Sequence, residues 1–197
     1  MQSLRESDGF SLIELLIVLV LTVSMAAMAI PSTGALFGNL RLSGDARGLS
    51  NSIALAKMRA AADFTHARVY VDIPGRQYRV ERYEKTGVPG WVAEAGWTSL
   101  SYRVRFSTLS LATPPLNTQA AIGQAPACLD NAGATVANTA CAVFNSRGIP
   151  VDDLWSPTVA DAVYITDGTA VFGVTVAATG LIRTWKSPIS AAVWTKQ

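Results

Sequence analysis

The hydrophobic pattern of the chain begins with an apolar run over residues 10–30. Glu14 is the one charged residue in this run. As a helix, the run would be about 31 Å long, which matches the hydrocarbon core of a bilayer. We therefore predict a transmembrane helix over 10–30. Pro31 follows directly, and we expect a bend there because proline removes a backbone donor and clashes with the preceding turn.

A second pattern, with spacings of three and four, follows the proline. The apolar positions that recur at these spacings are Leu42, Ala46, Leu49, Ile53, Ala56 and Ala60. Such a repeat places one apolar face along a helix, and most of the nearby charged residues fall off that face. The pattern predicts that the helix continues as an amphipathic segment over 31–63 and packs on a globular domain.

The period changes to two after residue 67, which is typical of strands. The alternating segments 68–73 and 77–83 flank Pro74-Gly75 and predict a hairpin. Further strands are predicted over 91–93, 101–106, 142–145, 162–166, 170–177 and 181–186.

Residues 107–140 contain several prolines and glycines and little periodicity, so we expect a long irregular loop there. The whole pattern predicts an α+β protein. Its long N-terminal helix, transmembrane in the first half and amphipathic in the second, would pack on a C-terminal domain of antiparallel β-sheet over 64–197.

Composition and charge narrow the functions open to this chain. Half of its 197 residues are hydrophobic, and the formal net charge is +2. Residues 1–9 hold one basic and two acidic residues, so the chain without them carries +3. A charge this mild does not by itself indicate nucleic-acid binding. The sequence has no phosphate-binding Gly-Lys motif, no zinc-binding histidine pair and no nucleophile elbow, so we expect neither an enzyme nor a bound cofactor.

Glu14 is the main functional candidate in the apolar run. A carboxylate at membrane depth costs several kcal/mol unless a positive charge pairs with it. Cleavage between Gly9 and Phe10 would create such a charge, the α-ammonium of Phe10, four residues away. Neighbouring subunits in a filament would then pair the ammonium of one chain with the carboxylate of another.

The segment GFSLIELLIVLVLTVSMAAMAIP closely resembles the N terminus of type IV prepilins. The match combines the Gly9-Phe10 junction, Glu14, the apolar run and Pro31. The resemblance implies that a prepilin peptidase removes residues 1–9 as a leader and that the Phe10 amine is methylated. It also implies a single-pass protein of the bacterial inner membrane with a periplasmic domain. An assembly platform in that membrane would add this protein to a filament of other pilin or pseudopilin subunits.

Three later segments narrow the resemblance to the GspH/FimT-type minor pseudopilins. The segments ALAKMRAAA (54–62), FNSRG (144–148) and TGLIR (179–183) are similar to the helix-end, F-N-x-x-G and terminal G-R-x-R elements of that family. This resemblance implies a pilin-like fold. It also implies a structural and assembly subunit of a type II secretion pseudopilus or of a type IV pilus.

The alternative function is that of a DNA-binding minor pilin in a DNA-uptake pilus, because the terminal G-R-x-R supports DNA binding in some FimT-like proteins. Here Arg183 keeps the second arginine, but Leu181 replaces the first and cannot neutralise a phosphate. Lys186 would compensate in part. We therefore expect little or no DNA binding.

Cys128 and Cys141 are the only cysteines and lie 13 residues apart. In an exported domain we expect them to form a disulfide. A two-thiol metal site is the alternative, although no nearby histidine or second cysteine pair completes it.

The other polar and aromatic candidates have simple structural explanations. Asp152-Asp153 predicts a solvated turn, with a calcium site as the alternative. His66, the only histidine, is predicted to be a polar residue at the helix end rather than a catalyst. The tryptophans are predicted to be core or subunit-interface residues rather than a stacking platform: Trp91, Trp97, Trp155, Trp185 and Trp194.

Overall fold

A computed structural model describes residues 11–152, 154–158 and 160–197, with only the backbone described over 28–36 and at residue 160. Within these residues one α-helix, α1 (Leu12–Ala62), is followed by eleven strands. The chain divides into two compact units, one that ends at Leu40 and one that runs from Arg41 to Gln197. Residue 31 lies inside α1, and the bend expected at Pro31 stays a prediction.

Over residues 11–27 the helix exposes its apolar side chains on all sides. Every side chain from residue 11 to residue 27 is exposed, for example Leu15 at 62% and Leu19 at 55%. Among the described residues, no helix combines the length and the apolar character needed to cross a membrane. The predicted transmembrane segment, 10–30, is thus not confirmed and stays a prediction.

In the second unit the helix buries the face that the sequence pattern indicated. The exposed fraction is 0% for Leu42, Ala46, Leu49, Ile53, Ala56 and Ala60. The prediction of an amphipathic helix segment is confirmed for these residues. After the helix, Phe64 adopts a positive φ of 50°, and the Thr65 N–H donates to the carbonyl oxygen of Ala60 at 3.1 Å. The left-handed Phe64 and the hydrogen bond from Thr65 to the last turn together end the helix.

The eleven strands form two antiparallel sheets. They are β1 (Ala67–Asp72), β2 (Gln77–Glu84), β3 (Gly90–Ala93), β4 (Thr98–Ser99), β5 (Arg105–Phe106), β6 (Thr139–Phe144), β7 (Pro150–Val151), β8 (Ala160–Thr166), β9 (Ala170–Ala177), β10 (Ile182–Pro188) and β11 (Thr195–Lys196). Sheet A has the order β3-β2-β1-β6-β7, and β4 also pairs with β2. Sheet B has the order β11-β10-β9-β8-β5. The predicted α+β class with antiparallel sheets is confirmed.

The main core joins the buried face of α1 to the inner faces of both sheets. Val69 and Val80 represent sheet A in this core, and Ile165 and Phe172 represent sheet B. Because side chains alternate across a strand, the neighbours of these residues point to the outer faces. The outer face of sheet A therefore carries polar and aromatic side chains such as Arg68.

The long loop between β5 and β6 covers the outer face of sheet B. The loop also pairs with the edge of β8, where the Gln124 amide nitrogen donates to the Tyr164 carbonyl (2.9 Å) and its amide oxygen accepts from the Tyr164 N–H (2.8 Å). Leu111 and Tyr164 form a second small core with Trp194 packed against it. An irregular loop was predicted here, although β6 begins at Thr139, inside the predicted range.

The strand predictions differ from the structure mainly at short elements. The hairpin of β1 and β2 is confirmed, with Asp72 opposite Gln77 across the turn. The strand predicted over 101–106 shrinks to the two residues of β5. A turn precedes it, in which the Val104 N–H donates to the Ser101 carbonyl (3.0 Å) and Arg103 has a φ of 70°. The two-residue strands β4, β7 and β11 are too short for their periodicity to be recognised.

Candidate functional site

The predicted assembly residue, Glu14, lies in the first turn of α1 with an exposed side chain. It is the only charged residue in the sequence between 11 and 40. The predicted processing positions, Gly9 and Phe10, lie outside the described residues. Pairing of Glu14 with the Phe10 ammonium therefore stays a prediction.

The three segments that resemble the GspH/FimT-type proteins meet around Lys57. The Lys57 ammonium donates to the carbonyl oxygen of Gly180 at 2.8 Å. A Cβ added at Gly148 would lie 2.8 Å from Cε of Lys57, and one added at Gly180 would collide with the carbonyl oxygen of Gly148. Both glycines also have positive φ values, 71° and 75°. Glycine is therefore required at both turns so that they can close on the end of the helix.

The structure does not bring the predicted DNA-contacting residues together. Arg183 and Lys186 lie three residues apart on β10 and therefore on opposite faces of that strand. Arg183 is exposed, whereas the Lys186 ammonium lies 5.6 Å from the ring centroid of Phe172, a residue of the main core. These two cations do not form one phosphate-binding patch.

Cys128 and Cys141 are joined by a disulfide with Cα atoms 5.0 Å apart, as the sequence predicted. The bond lies on the outer face of sheet A and ties the preceding loop to β6. The Cys141 N–H also donates to the Pro126 carbonyl at 2.8 Å. Because the bond uses both thiols, the alternative metal site loses its ligands.

A cleft of about 470 Å³ opens between the outer face of sheet A and the loop that the disulfide holds. We call it the aromatic cleft. The lining residues that matter for its chemistry are Arg68, Tyr83, Trp91, Asp152, Trp155 and Asp161. Three of these six were noted in the sequence, Asp152 as part of a turn and Trp91 and Trp155 as core or subunit-interface residues, and none of the six was predicted as part of a binding site.

The floor of the aromatic cleft is a buried charge cluster. Glu81 is 2% exposed and accepts from Nε of Arg68 (2.7 Å) through one oxygen and from Nε of Arg79 (2.7 Å) through the other. Arg68 is 4% exposed and also donates to the Leu129 carbonyl at 2.7 Å. Burial lowers the pKa of the Arg68 guanidinium, and the Glu81 carboxylate opposes that shift. Glu81 thus neutralises a buried cation at the base of the cleft.

Aromatic rings form the walls. The Arg68 guanidinium lies 4.0 Å from the Trp91 ring centroid, and the Trp91 and Trp155 rings are 6.1 Å apart at 40°. Tyr83 stands edge-on to both rings. His66 stacks on Trp155 at 3.9 Å, and burial together with the charge of Lys85 lowers the pKa of this histidine.

The core part of the tryptophan prediction holds only for Trp194, which is partly buried against the second small core. None of the five tryptophans is fully buried. Trp97 stacks against the Arg79 guanidinium at 4.2 Å, Trp185 donates its ring N–H to Thr175, and Trp194 donates to the Thr113 carbonyl. The predicted role of these rings in subunit interfaces stays a prediction.

The acidic side of the aromatic cleft comes from the segment around β8. Asp161 is 4% exposed, and burial raises its pKa to about 6, with a contribution from the charge of Asp152. Its carboxylate accepts a long hydrogen bond, 3.5 Å, from the Thr158 hydroxyl. Asp152 is held in a turn because it accepts the N–H groups of Leu154 (2.9 Å) and Ser156 (2.8 Å).

The turn predicted at Asp152 is therefore present. Asp153, the second residue of the predicted turn, lies outside the described residues. The alternative calcium site, which would use Asp153, therefore stays a prediction. Among the residues that the structure describes, no three histidine, cysteine or acidic side chains group together as metal ligands.

The described residues form an α+β protein in which a helix packs on two antiparallel sheets and a disulfide-tied loop closes an aromatic cleft. Among solved structures, the chain is similar to the minor pseudopilin EpsH from the type 2 secretion system of Vibrio cholerae. The TM-score is 0.47 with 14% identity, over 73% of this chain and 95% of that chain. No protein-family model matches the chain, and no curated protein matches it.

Sequence reasoning missed the aromatic cleft because its parts lie far apart in the chain. One signal was present, since Arg68 and Glu81 are opposite charges at facing positions of the predicted hairpin. No comparable pattern in the sequence indicates that Trp155 and Asp161 lie near this hairpin.

Proposed function

We propose that the chain is a minor pilin-like subunit, a structural and assembly component of a type II secretion pseudopilus or of a type IV pilus. The observation that carries this proposal is the contrast between the two parts of α1. The side chains over 11–27 are all exposed and mostly apolar, whereas the apolar face over 42–60 is fully buried in its own domain. An apolar helix segment that is exposed in this way needs an apolar environment.

The membrane provides an apolar environment before assembly, and the filament core provides one afterwards. Before assembly, a segment over 10–30 spans the inner membrane, with the leader in the cytoplasm and the β-rich domain in the periplasm. After a prepilin peptidase cuts at Gly9 and the Phe10 amine is methylated, the assembly platform transfers the helix into a filament. There it packs against the helices of other subunits.

Glu14 couples processing to assembly in this proposal. Moving an unpaired carboxylate into an apolar filament core would be costly. The ammonium of Phe10, from a neighbouring subunit or from the same chain, exists only after cleavage. Only a processed subunit therefore has both charges and enters the filament readily.

The test replaces Glu14 by glutamine, which keeps the shape and removes the charge. We expect normal membrane levels and a normal folded domain, but loss of most in-cell crosslinks to pilin neighbours and of the secretion or piliation that depends on them. Glu14→Lys should be more defective, because it places two positive groups together. Intact mass of the membrane-extracted protein shows whether residues 1–9 have been removed in each variant.

Thr22→Val is the matched control on the same exposed part of the helix. The Thr22 hydroxyl is already satisfied by the Leu19 carbonyl at 2.9 Å, so its loss should change neither crosslinking nor function. Wild-type crosslinking in Glu14→Gln would contradict the pairing mechanism. A full-length mass in cells that contain the peptidase would contradict the processing step.

A further inference from the structure

The aromatic cleft contains features that suit a positively charged ligand. Its volume of about 470 Å³ is within the range of ligand pockets, about 300–1,000 Å³. Arg68 covers one side of Trp91 and His66 covers one side of Trp155, and both tryptophans still line the cleft. Indole rings attract cations through their electron-rich faces.

The charges that line the aromatic cleft favour a cation over an anion. Three carboxylates face it, those of Asp130, Asp152 and Asp161, against one guanidinium, that of Arg68. The guanidinium is already engaged, because it donates to Glu81 and to the Leu129 carbonyl. An anion would meet an occupied arginine and three like charges, whereas a cation would meet rings and carboxylates.

Asp161 is the residue in this cleft that most suggests a ligand. Its carboxyl group is almost completely buried, and among the described residues its side chain makes one hydrogen bond, the long contact with Thr158. A buried carboxylate normally has a charged or strongly hydrogen-bonding partner. Asp130 and Asp152, in contrast, use their carboxylates to hold their own turns.

We propose that the aromatic cleft binds an alkylammonium group, with Trp91 and Trp155 against its methylene stem and Asp161 as its charge partner. The group belongs either to a lysine side chain of a partner protein or to a free polyamine. This site is independent of the filament function proposed above. It lies on the outer face of sheet A, away from the helix face that is buried under the inner face.

Calorimetric titration of the full chain in detergent tests the proposal with four probes. Nα-acetyl-lysine amide and 1,5-diaminopentane should bind at pH 7.5, whereas Nα-acetyl-norleucine amide, which keeps the stem and lacks the charge, should not. An Ala-Lys-Ala peptide capped at both ends separates the two sources. Tighter binding of the peptide than of the diamine identifies a protein partner, and the reverse order identifies a free amine.

Substitutions of the cleft residues show which side chains contact the bound amine. Asp161→Asn should weaken binding of the lysine probe by about tenfold, the usual order for loss of a charge-assisted contact. Trp155→Leu should also weaken it. Asp63→Asn removes an exposed carboxylate that does not line the cleft and should leave binding unchanged. Thermal unfolding of each variant checks that the domain is intact.

The pH profile provides a readout that a purely structural role would not give. Because the pKa of Asp161 is about 6, this carboxyl is largely protonated at pH 5, and binding should fall by about tenfold between pH 7.5 and pH 5. The other titratable and charged groups that the structure describes at the site are Asp130, Asp152, Arg68 and Tyr83. Next to them lie Glu81 and Arg79 below Arg68, and His66 with Lys85 beside Trp155. His66→Gln should keep the pH dependence, and Asp161→Asn should lose it.

Three results would overturn the proposal. One is equal binding of the lysine and norleucine probes, which would make the cleft a simple apolar pocket. Another is unchanged affinity in Asp161→Asn at pH 7.5. The third is the absence of binding by every amine probe at millimolar concentration.

Discussion

Replacing Glu81 by glutamine removes the one negative charge that two arginines share on the outer face of sheet A. Glu81 has a side chain that is 3% exposed, and its partner Arg68 is 5% exposed at the side chain. Glutamine keeps the size of the side chain but removes the carboxylate that is bonded to the buried Arg68 guanidinium. Arg79 has a side chain that is 30% exposed, so water can solvate it instead.

The expected loss in the free energy of unfolding follows from the burial of this ion pair. Removing one partner of a buried ion pair costs about 3–5 kcal/mol, because the other charge stays buried and unpaired. For a chain of this size, each kcal/mol lowers the melting temperature by about 2–4 °C, so we expect a fall of roughly 6–20 °C. Most of the loss comes from Arg68.

The assay is thermal and urea unfolding of the full chain in detergent, followed by tryptophan fluorescence. All five tryptophans lie at or after residue 91, so the signal reports on the β-rich unit. Glu84→Gln is the matched control, since Glu84 lies on the same strand and pairs with Arg82 at the surface (3.0 Å). Solvent screens such a pair, and we expect little change in stability.

A melting temperature for Glu81→Gln equal to that of Glu84→Gln would show that the Glu81 charge does not stabilise the domain. The double variant Arg68→Met/Glu81→Leu separates charge from packing. If an unpaired charge causes the loss, this double variant should be more stable than Glu81→Gln, because neither charge is left behind. A double variant that is less stable would instead show that the arginine contacts themselves hold the loop.

Three further predictions concern other parts of the chain. Reduction of the Cys128–Cys141 bond should lower the free energy of unfolding by about 3 kcal/mol, and thiol titration of the unfolded, unreduced protein should find no free cysteine; two free thiols would contradict the bond. Leu49→Ala should cost about 2–5 kcal/mol in urea unfolding because it leaves a cavity in the main core. The partly exposed Leu55 should tolerate alanine far better, and equal losses would contradict the buried face. In gel shifts at physiological salt, duplex DNA should bind weakly or not at all. Submicromolar, salt-sensitive binding that Arg183→Ala weakens would revive the DNA-uptake alternative.

The buried face of α1 and the first hairpin follow directly from the sequence. The spacing of Leu42, Leu49 and Ile53 indicates the face that is buried, because a helix repeats every 3.6 residues whatever it packs against. The Pro74-Gly75 pair marks the turn in the same local way. The charge of Glu14 within an apolar run is likewise a property of the sequence alone, and the proposed coupling of processing to assembly depends on it.

Only the tertiary structure assembled the aromatic cleft. Arg68, Trp91 and Asp161 come from separate strands, and the disulfide-tied loop between β5 and β6 closes the space above them. Strand periodicity shows which residues of one strand share a face, but it does not show which distant strand lies alongside. That pairing depends on long-range contacts, such as β1 against β6, whose energy is decided by the packing of the whole domain rather than by neighbours in the chain.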